Sequence, residues 1–260
     1  MTSAARSRAR TRALTGTFAA FSLSFGMIMT SGATPANAAT WPTPTRSQPV
    51  SSTISVSGTR DGGMVRYYGS GALAGDGQDE GQDPIFKLAN GATLKNVVIG
   101  RPGADGIHCE GNCTLQNVWW EDVGEDAATF RGGSTYTVTG GGAKKAADKV
   151  FQHNGGGTLN ISNFAVSEFK TLYRSCGDCS TQYTRKVNLN NIEVTGTGST
   201  ARLVGINVNR GDVATLRRIT ILNDSGRKVV PCQKYNNNTA VGTGPDSTNC
   251  KYSASDITYR

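Results

Sequence analysis

A phrase that returns in register constrains this chain more than any other feature. "ATLKNVVIG" (92–100) recurs as "CTLQNVWWE" (113–121), with weaker echoes in "YTVTGGG" (136–142), "TLNISNFAV" (158–166), "VNLNNIEV" (187–194) and "ATLRRITIL" (214–222). Leu94 to Leu115 is 21 residues, Leu115 to Val138 is 23 and Val138 to Leu159 is 21, and later spacings lengthen to between 27 and 30. Each unit is short, alternating, rich in β-branched residues and bounded by Gly or Asn, so it reads as a strand. Strands recurring at this period with no helical pattern between them predict an all-β fold, a single-domain right-handed parallel β-helix with coils of about 21–28 residues. Leucine-rich repeats share the period but need several leucines per unit, and a β-sandwich does not explain phrases that return in register.

The fold is not expected to include the first 38 residues. "MTSAARSRARTR" is basic, "ALTGTFAAFSLSFGMIM" is apolar but broken by Thr, Ser and Gly, and "PANA" precedes a cut after Ala38. That order is the layout of a secretory signal peptide over 1–38. The predicted organisation continues with a short lead-in at 39–49 and a β-helix domain at 50–260, whose end, 226–260, is a closing coil or cap. The expected product is secreted and extracellular, with no membrane partner. Loss of four arginines with the leader lowers the formal charge from +8 to +4. This mild excess suits an anionic partner, and no aromatic–basic motif points to nucleic acid.

Export makes disulfides the default for Cys109, Cys113, Cys176, Cys179, Cys232 and Cys250. Nearest-neighbour pairing (109–113, 176–179, 232–250) is the expectation, among fifteen arrangements that six cysteines allow. A zinc site at Cys176 and Cys179 is the rival, weakened by the presence of only two histidines, His108 and His153. Both histidines read as ladder or surface residues.

Stacking gives the acidic block "WWEDVGEDAATF" its meaning. Asp105 lies 11 residues after Leu94, and Asp126 lies 11 after Leu115, so they should occupy one place on neighbouring rungs, with Glu125 beside them. Three carboxylates so close repel unless a cation or a proton is shared among them. An oxygen-only set with no imidazole points to a hard cation, Ca²⁺ over Mg²⁺. Glu121 and Asp122 read as ordinary solvated or turn-capping acids. Matching Ile107, Ala128, Val150 and Leu172 puts Asp105, Asp126, Asp148 and Lys170 in one column. The next column then holds Lys149 and Thr171, and a further one Gln152 and Arg174, with Arg131 nearby. A cation flanked by Lys and Arg suits a carboxylate-bearing polymer. Its α-proton would be acidified, and a Lys or Arg with a pKa lowered by other cations would remove it at alkaline pH.

"DGIHCEGNCTLQNVWWEDVGEDAATF", "GGGAKKAADKVFQHNGGG", "LYRSCGDC", "DGGMVRYYG" and "IFKLANGATLKNVVIG" closely resemble the compact extracellular pectate lyases of polysaccharide lyase family 3. The resemblance covers roughly residues 50–225. It implies a carbon–oxygen lyase that cleaves polygalacturonate or pectin by Ca²⁺-dependent β-elimination, giving 4,5-unsaturated oligogalacturonides. It implies Ca²⁺ ligation by Asp105, Glu125 and Asp126, with Glu80 at a further acidic position. It implies catalysis by Lys149 and Arg174, one as base and one as electrostatic partner, and substrate contact by Arg131. The family's lysine three residues before the arginine of "LYRSCG" is here Thr171, with Lys170 one position earlier as the candidate substrate contact. The expected partner is an acidic polysaccharide, and the expected state a monomer. The alternatives are a polygalacturonase-like pectin hydrolase, which would use the carboxylates as acid and base, and a non-catalytic pectin-binding β-helix.

Overall fold

The computed structural model describes residues 1–2 and 39–260 except Thr197. The predicted signal peptide therefore lies, apart from its first two residues, outside the described residues. Among the described residues no helix is long and apolar enough to cross a membrane. Apart from three short 3₁₀ turns, the regular structure of the described residues consists of strands.

The chain is wound as a parallel β-helix. One ladder runs from Thr59–Gly69 through Ala92–Ile99 and Cys113–Trp120. It continues into the first halves of Thr135–His153 and Gly157–Ser175, then Arg185–Thr195 and Val213–Leu222. A second runs from Ile54–Val56 through Phe86–Leu88, Ile107–Cys109 and Asp126–Phe130. It continues through the second halves of the two long strands to Ala201–Asn207 and Val229–Asn236. Both ladders are parallel. The right-handed sense is the one that crossover connections between parallel strands adopt.

Inside the coil, like stacks on like. Leu94, Leu115, Val138, Ile161, Leu189 and Leu216 form one buried column by register. Phe86, Ile107, Ala128, Phe151, Tyr173 and Val204 form another. Each coil buries its apolar face only against its neighbours, so deleting one rung side chain opens a cavity shared by two coils. Leu115→Ala should cost about 2–5 kcal/mol of stability, read from the urea midpoint.

The first ladder bends mid-strand at residues with left-handed backbone: Asn96, Asn117, Gly140, Asn163 and Asn191. Asn tolerates that conformation, and its amide stacks on the rung below, as in Asn117 Nδ2 to Asn96 Oδ1 at 2.9 Å. The repeated "N" of the phrases is therefore the corner of the coil.

The lead-in joins the first coil earlier than expected, since Ser47–Val50 pairs with Arg66–Gly69. In the tail, Val229–Asn236 turns back on Thr239–Thr243 as an antiparallel hairpin, and Cys250–Lys251 and Ile257–Tyr259 add to Val213–Leu222. The disulfides are Cys109–Cys113, Cys176–Cys179 and Cys232–Cys250, the nearest-neighbour set, which leaves no thiol pair for zinc.

The predicted column register needs one correction. Asp126 pairs with Lys149, and Lys149 with Thr171; Ala128 pairs with Phe151, not Val150, and Phe151 with Tyr173, not Leu172. Consecutive residues Val150 and Phe151, and again Leu172 and Tyr173, are all fully buried, so apolar matching could not choose between them. A bulge between Phe169 and Thr171 shifts the register once more. Asp148 and Lys170 thus leave the acidic column, and Lys149 enters it.

Candidate active site

The corrected register places the carboxylates and the lysine on successive rungs of the second ladder. Gly106, at φ 51°, permits the close stacking: a Cβ there would collide with the carbonyl oxygens of Asp126 and Ala127. Asp105, Glu125 and Asp126 are buried, and one oxygen from each converges within 4.8 Å of the others. Asp105 Oδ1 and Asp126 Oδ1 are buried without a hydrogen-bond partner. Orphaned buried carboxylate oxygens are costly, and a divalent cation among them would satisfy both, so the donor set fits a hard cation. Glu80 is exposed and borders the same cavity of ≈ 290 Å³, outside this trio.

Lys149 Nζ lies 2.7 Å from Asp148 Oδ2 and 3.6 Å from both Glu125 Oε1 and Asp126 Oδ1. Burial opposes its charge, but Asp126, Asp148 and Glu125 outweigh burial and hold its pKa above the usual lysine value. This reverses the expectation of a base lowered by neighbouring cations: the groups around Lys149 are acids. Arg174 does have a lowered pKa, and the cause is burial. Its guanidinium donates to the carbonyl of Asn237 and to Asn207 Oδ1, and stacks 4.1 Å from the Tyr235 ring centroid.

Burial first, then Asp105, pushes the Glu125 carboxyl up to about 7, and burial with its acidic neighbours raises Asp126 well above the carboxylate range despite Lys149. In the metal-free protein, Glu125 keeps its proton up to about 7 while the unfolded chain loses it near 4.5. The unfolded state then binds fewer protons across that window, so stability falls as pH rises through it. Calorimetry of chelated protein should show the melting temperature dropping between these pH values, and added Ca²⁺ should flatten the slope.

Lys170 Nζ reaches Asp148 Oδ1 at 2.8 Å and is exposed. Together with Thr171, Lys149 and Arg174 it lines a second cavity of ≈ 660 Å³, which shares Glu80, Gln152 and Asn154 with the acidic one. The two cavities border one another, so the acids and the basic row share one surface. Arg131 borders the acidic side. Glu121 and Asp122 point elsewhere, paired with Arg66 at 2.6 Å and with Arg101 and Lys145 at 3.6 Å.

Sequence reasoning missed His108. It is buried, its Nδ1 lies 2.8 Å from Arg131 Nη1 and its Nε2 lies 2.6 Å from Asp105 Oδ2. Arg131 can only donate, so Nδ1 accepts and Nε2–H donates to Asp105, a neutral imidazole bridging a basic side chain to the acidic cluster. An imidazole therefore does sit beside the cluster, committed to Asp105. The available signal was "DGIHC", in which His108 follows Asp105 by three residues. His153 is a core residue, hydrogen-bonded to Tyr173 at 2.9 Å, with burial pushing its pKa down to about 3.

Fold and site together define a β-helical enzyme with a carboxylate cluster beside a basic row. The pectate lyase family model matches residues 38–240. Probable pectate lyase D of Emericella nidulans is 44% identical over 213 residues, 79% of this chain and 80% of its own length. Pectate lyase H of the same organism is 50% identical over 169 residues, 64% of this chain and 63% of its own. The catalytic domain of pectate lyase PelI from Erwinia chrysanthemi superposes with a TM-score of 0.69 at 34% identity, covering 82% of this chain and all of that domain. PelI in complex with tetragalacturonic acid gives 0.66 at 35% identity, covering 82% of this chain and 70% of PelI. The chain belongs to the pectate lyase family, and it is an enzyme of that class.

Proposed function

We propose that this protein is an extracellular pectate lyase that cleaves polygalacturonate by Ca²⁺-dependent β-elimination. The observation that carries the reading is the trio Asp105, Glu125 and Asp126, with two orphaned oxygens, set against Lys149. The tetragalacturonic acid complex of the PelI relative supports an acidic polysaccharide as substrate. Asp105, Glu125 and Asp126 would hold Ca²⁺, which when bound neutralises the sugar carboxylate and acidifies the proton on the adjacent carbon. Glu80, at the rim, could add a fourth oxygen.

Lys149 is the group suited to take that proton. The Glu125 and Asp126 carboxylates that raise its pKa are those assigned to the cation; with their charge engaged there, Lys149 keeps Asp148 as its contact. Its proton affinity then falls toward a useful range, still alkaline. Arg174, anchored by carbonyl oxygens and lacking a carboxylate contact, stays cationic and stabilises the charge that develops on the substrate. Arg131, held by His108, and Lys170 contact flanking sugar carboxylates.

Purified protein mixed with polygalacturonate at alkaline pH should show rising ultraviolet absorbance from the conjugated double bond, abolished by excess chelator and restored by Ca²⁺. Reducing ends without that absorbance would establish hydrolysis instead.

A further inference from the structure

We propose that Ala39 is the amino terminus of the exported protein and that Glu193 receives its α-ammonium group, closing a strap along the outside of the coil. The inference rests on the export reading above and goes beyond it. Removal of the leader hydrolyses the Ala38–Ala39 peptide bond with one water, leaving a carboxylate on Ala38 and an amine on Ala39; a leader-removing protease supplies the catalysis.

Ala39 N lies 2.7 Å from Glu193 Oε1. In the uncut chain this nitrogen is a neutral amide with one hydrogen to donate. After cleavage it is an ammonium with three, opposite a carboxylate, and the bond becomes charge-assisted. The cut inferred from the small residues of "PANA" thus falls at the nitrogen that a carboxylate already faces.

The strap length supports the same residue. Arg66, Val98, Trp119, Gly142, Ala165 and Glu193 form one continuous column across six rungs. Five rung steps span about 24 Å, and the seven residue-to-residue steps from Ala39 to Arg46, fully extended, span about the same. The far end is tied where Arg66 N donates to the Arg46 carbonyl at 2.8 Å and Thr45 N to that of Met64 at 2.9 Å. Midway, Trp41 packs on Trp119 with centroids 4.9 Å apart, and Lys144 Nζ sits 3.7 Å from the Trp41 centroid. Ala165, a small member of the column, lines one hollow with Ala39, Trp41 and Glu193, and Gly142 makes room for the Trp119 ring on which Trp41 packs. A chain cut one residue later would stop short of Glu193.

The test is secretion of the full chain from an exporting host, followed by mass determination and amine labelling. The secreted protein should begin at Ala39. At neutral pH its N-terminal amine should react with an amine-selective reagent several-fold more slowly than in Glu193→Gln, because the carboxylate keeps the ammonium protonated. Glu193→Gln should also lower the melting temperature by up to about 2–4 °C, and a variant carrying two extra residues between the cut and Ala39 should match it. An exported chain with a different first residue, or equal labelling in both proteins, overturns the proposal and leaves lyase activity and export standing. A chain retained in the cell with residues 1–38 intact overturns the export reading as well.

Discussion

Lys149→Ala is expected to lower kcat on polygalacturonate by about 10²–10⁴-fold, the range for loss of a positioned general base, while Ca²⁺ affinity rises. The two effects have opposite signs because Lys149 has two roles in this geometry. In the proposed reaction it would be the base, and it is also the resident cation 3.6 Å from Glu125 and Asp126, where it would compete with a metal for their charge. Its removal loses proton transfer but leaves the trio more electronegative. A merely misfolded variant would lose both activity and Ca²⁺ binding, so calorimetric titration alongside turnover separates the cases. Turnover within a few-fold of wild type would move the base elsewhere, with Arg174 the next to test.

Removing Ca²⁺ should produce the second large effect, on stability. At a hundredfold excess over Kd, a ligand bound only by the folded state adds about 2.7 kcal/mol. For a chain of this size that is roughly 5–11 °C in melting temperature. Asp126→Asn removes a buried carboxylate from the trio, together with part of its mutual repulsion. The variant should therefore melt at or above the chelated wild type and no longer respond to Ca²⁺. An unchanged Ca²⁺ shift in Asp126→Asn would place the ion outside the trio.

The residues behind these two predictions differ in how far the amino-acid sequence reveals them. Asp105, Glu125 and Asp126 are legible as a cluster because Leu94 and Leu115 stand in register and both aspartates fall at one offset from them. Lys149 and Arg174 are legible from their motifs, but their surroundings are not. Apolar matching puts Asp148 and Lys170 where Lys149 and Thr171 stand, because the coil is 23 residues long at Asp126 to Lys149 and 22 at Lys149 to Thr171. Side-chain alternation cannot detect such a slip where two consecutive residues are buried. The raised pKa of Lys149 follows from this: a lysine expected among cations stands among carboxylates. His108 escapes notice for a related reason, since its partner Arg131 lies 23 residues away and meets it only through stacking.

The amino-acid sequence by itself determined the architecture, because a β-helix is built from a local phrase. A strand of β-branched residues, an Asn at the corner and an apolar column repeat within each coil, and each copy carries the same instruction. It also determined the carboxylate trio, since two of its members sit in adjacent, nearly identical copies. Only the tertiary structure decided which side chains face one another across rungs, and with that the charge environment of Lys149, the bridge from Arg131 through His108 to Asp105, and the meeting of Ala39 with Glu193. Those contacts depend on the residue count of every intervening loop and bulge, and at a rung spacing of about 4.8 Å one extra residue moves a side chain to the other face of its strand.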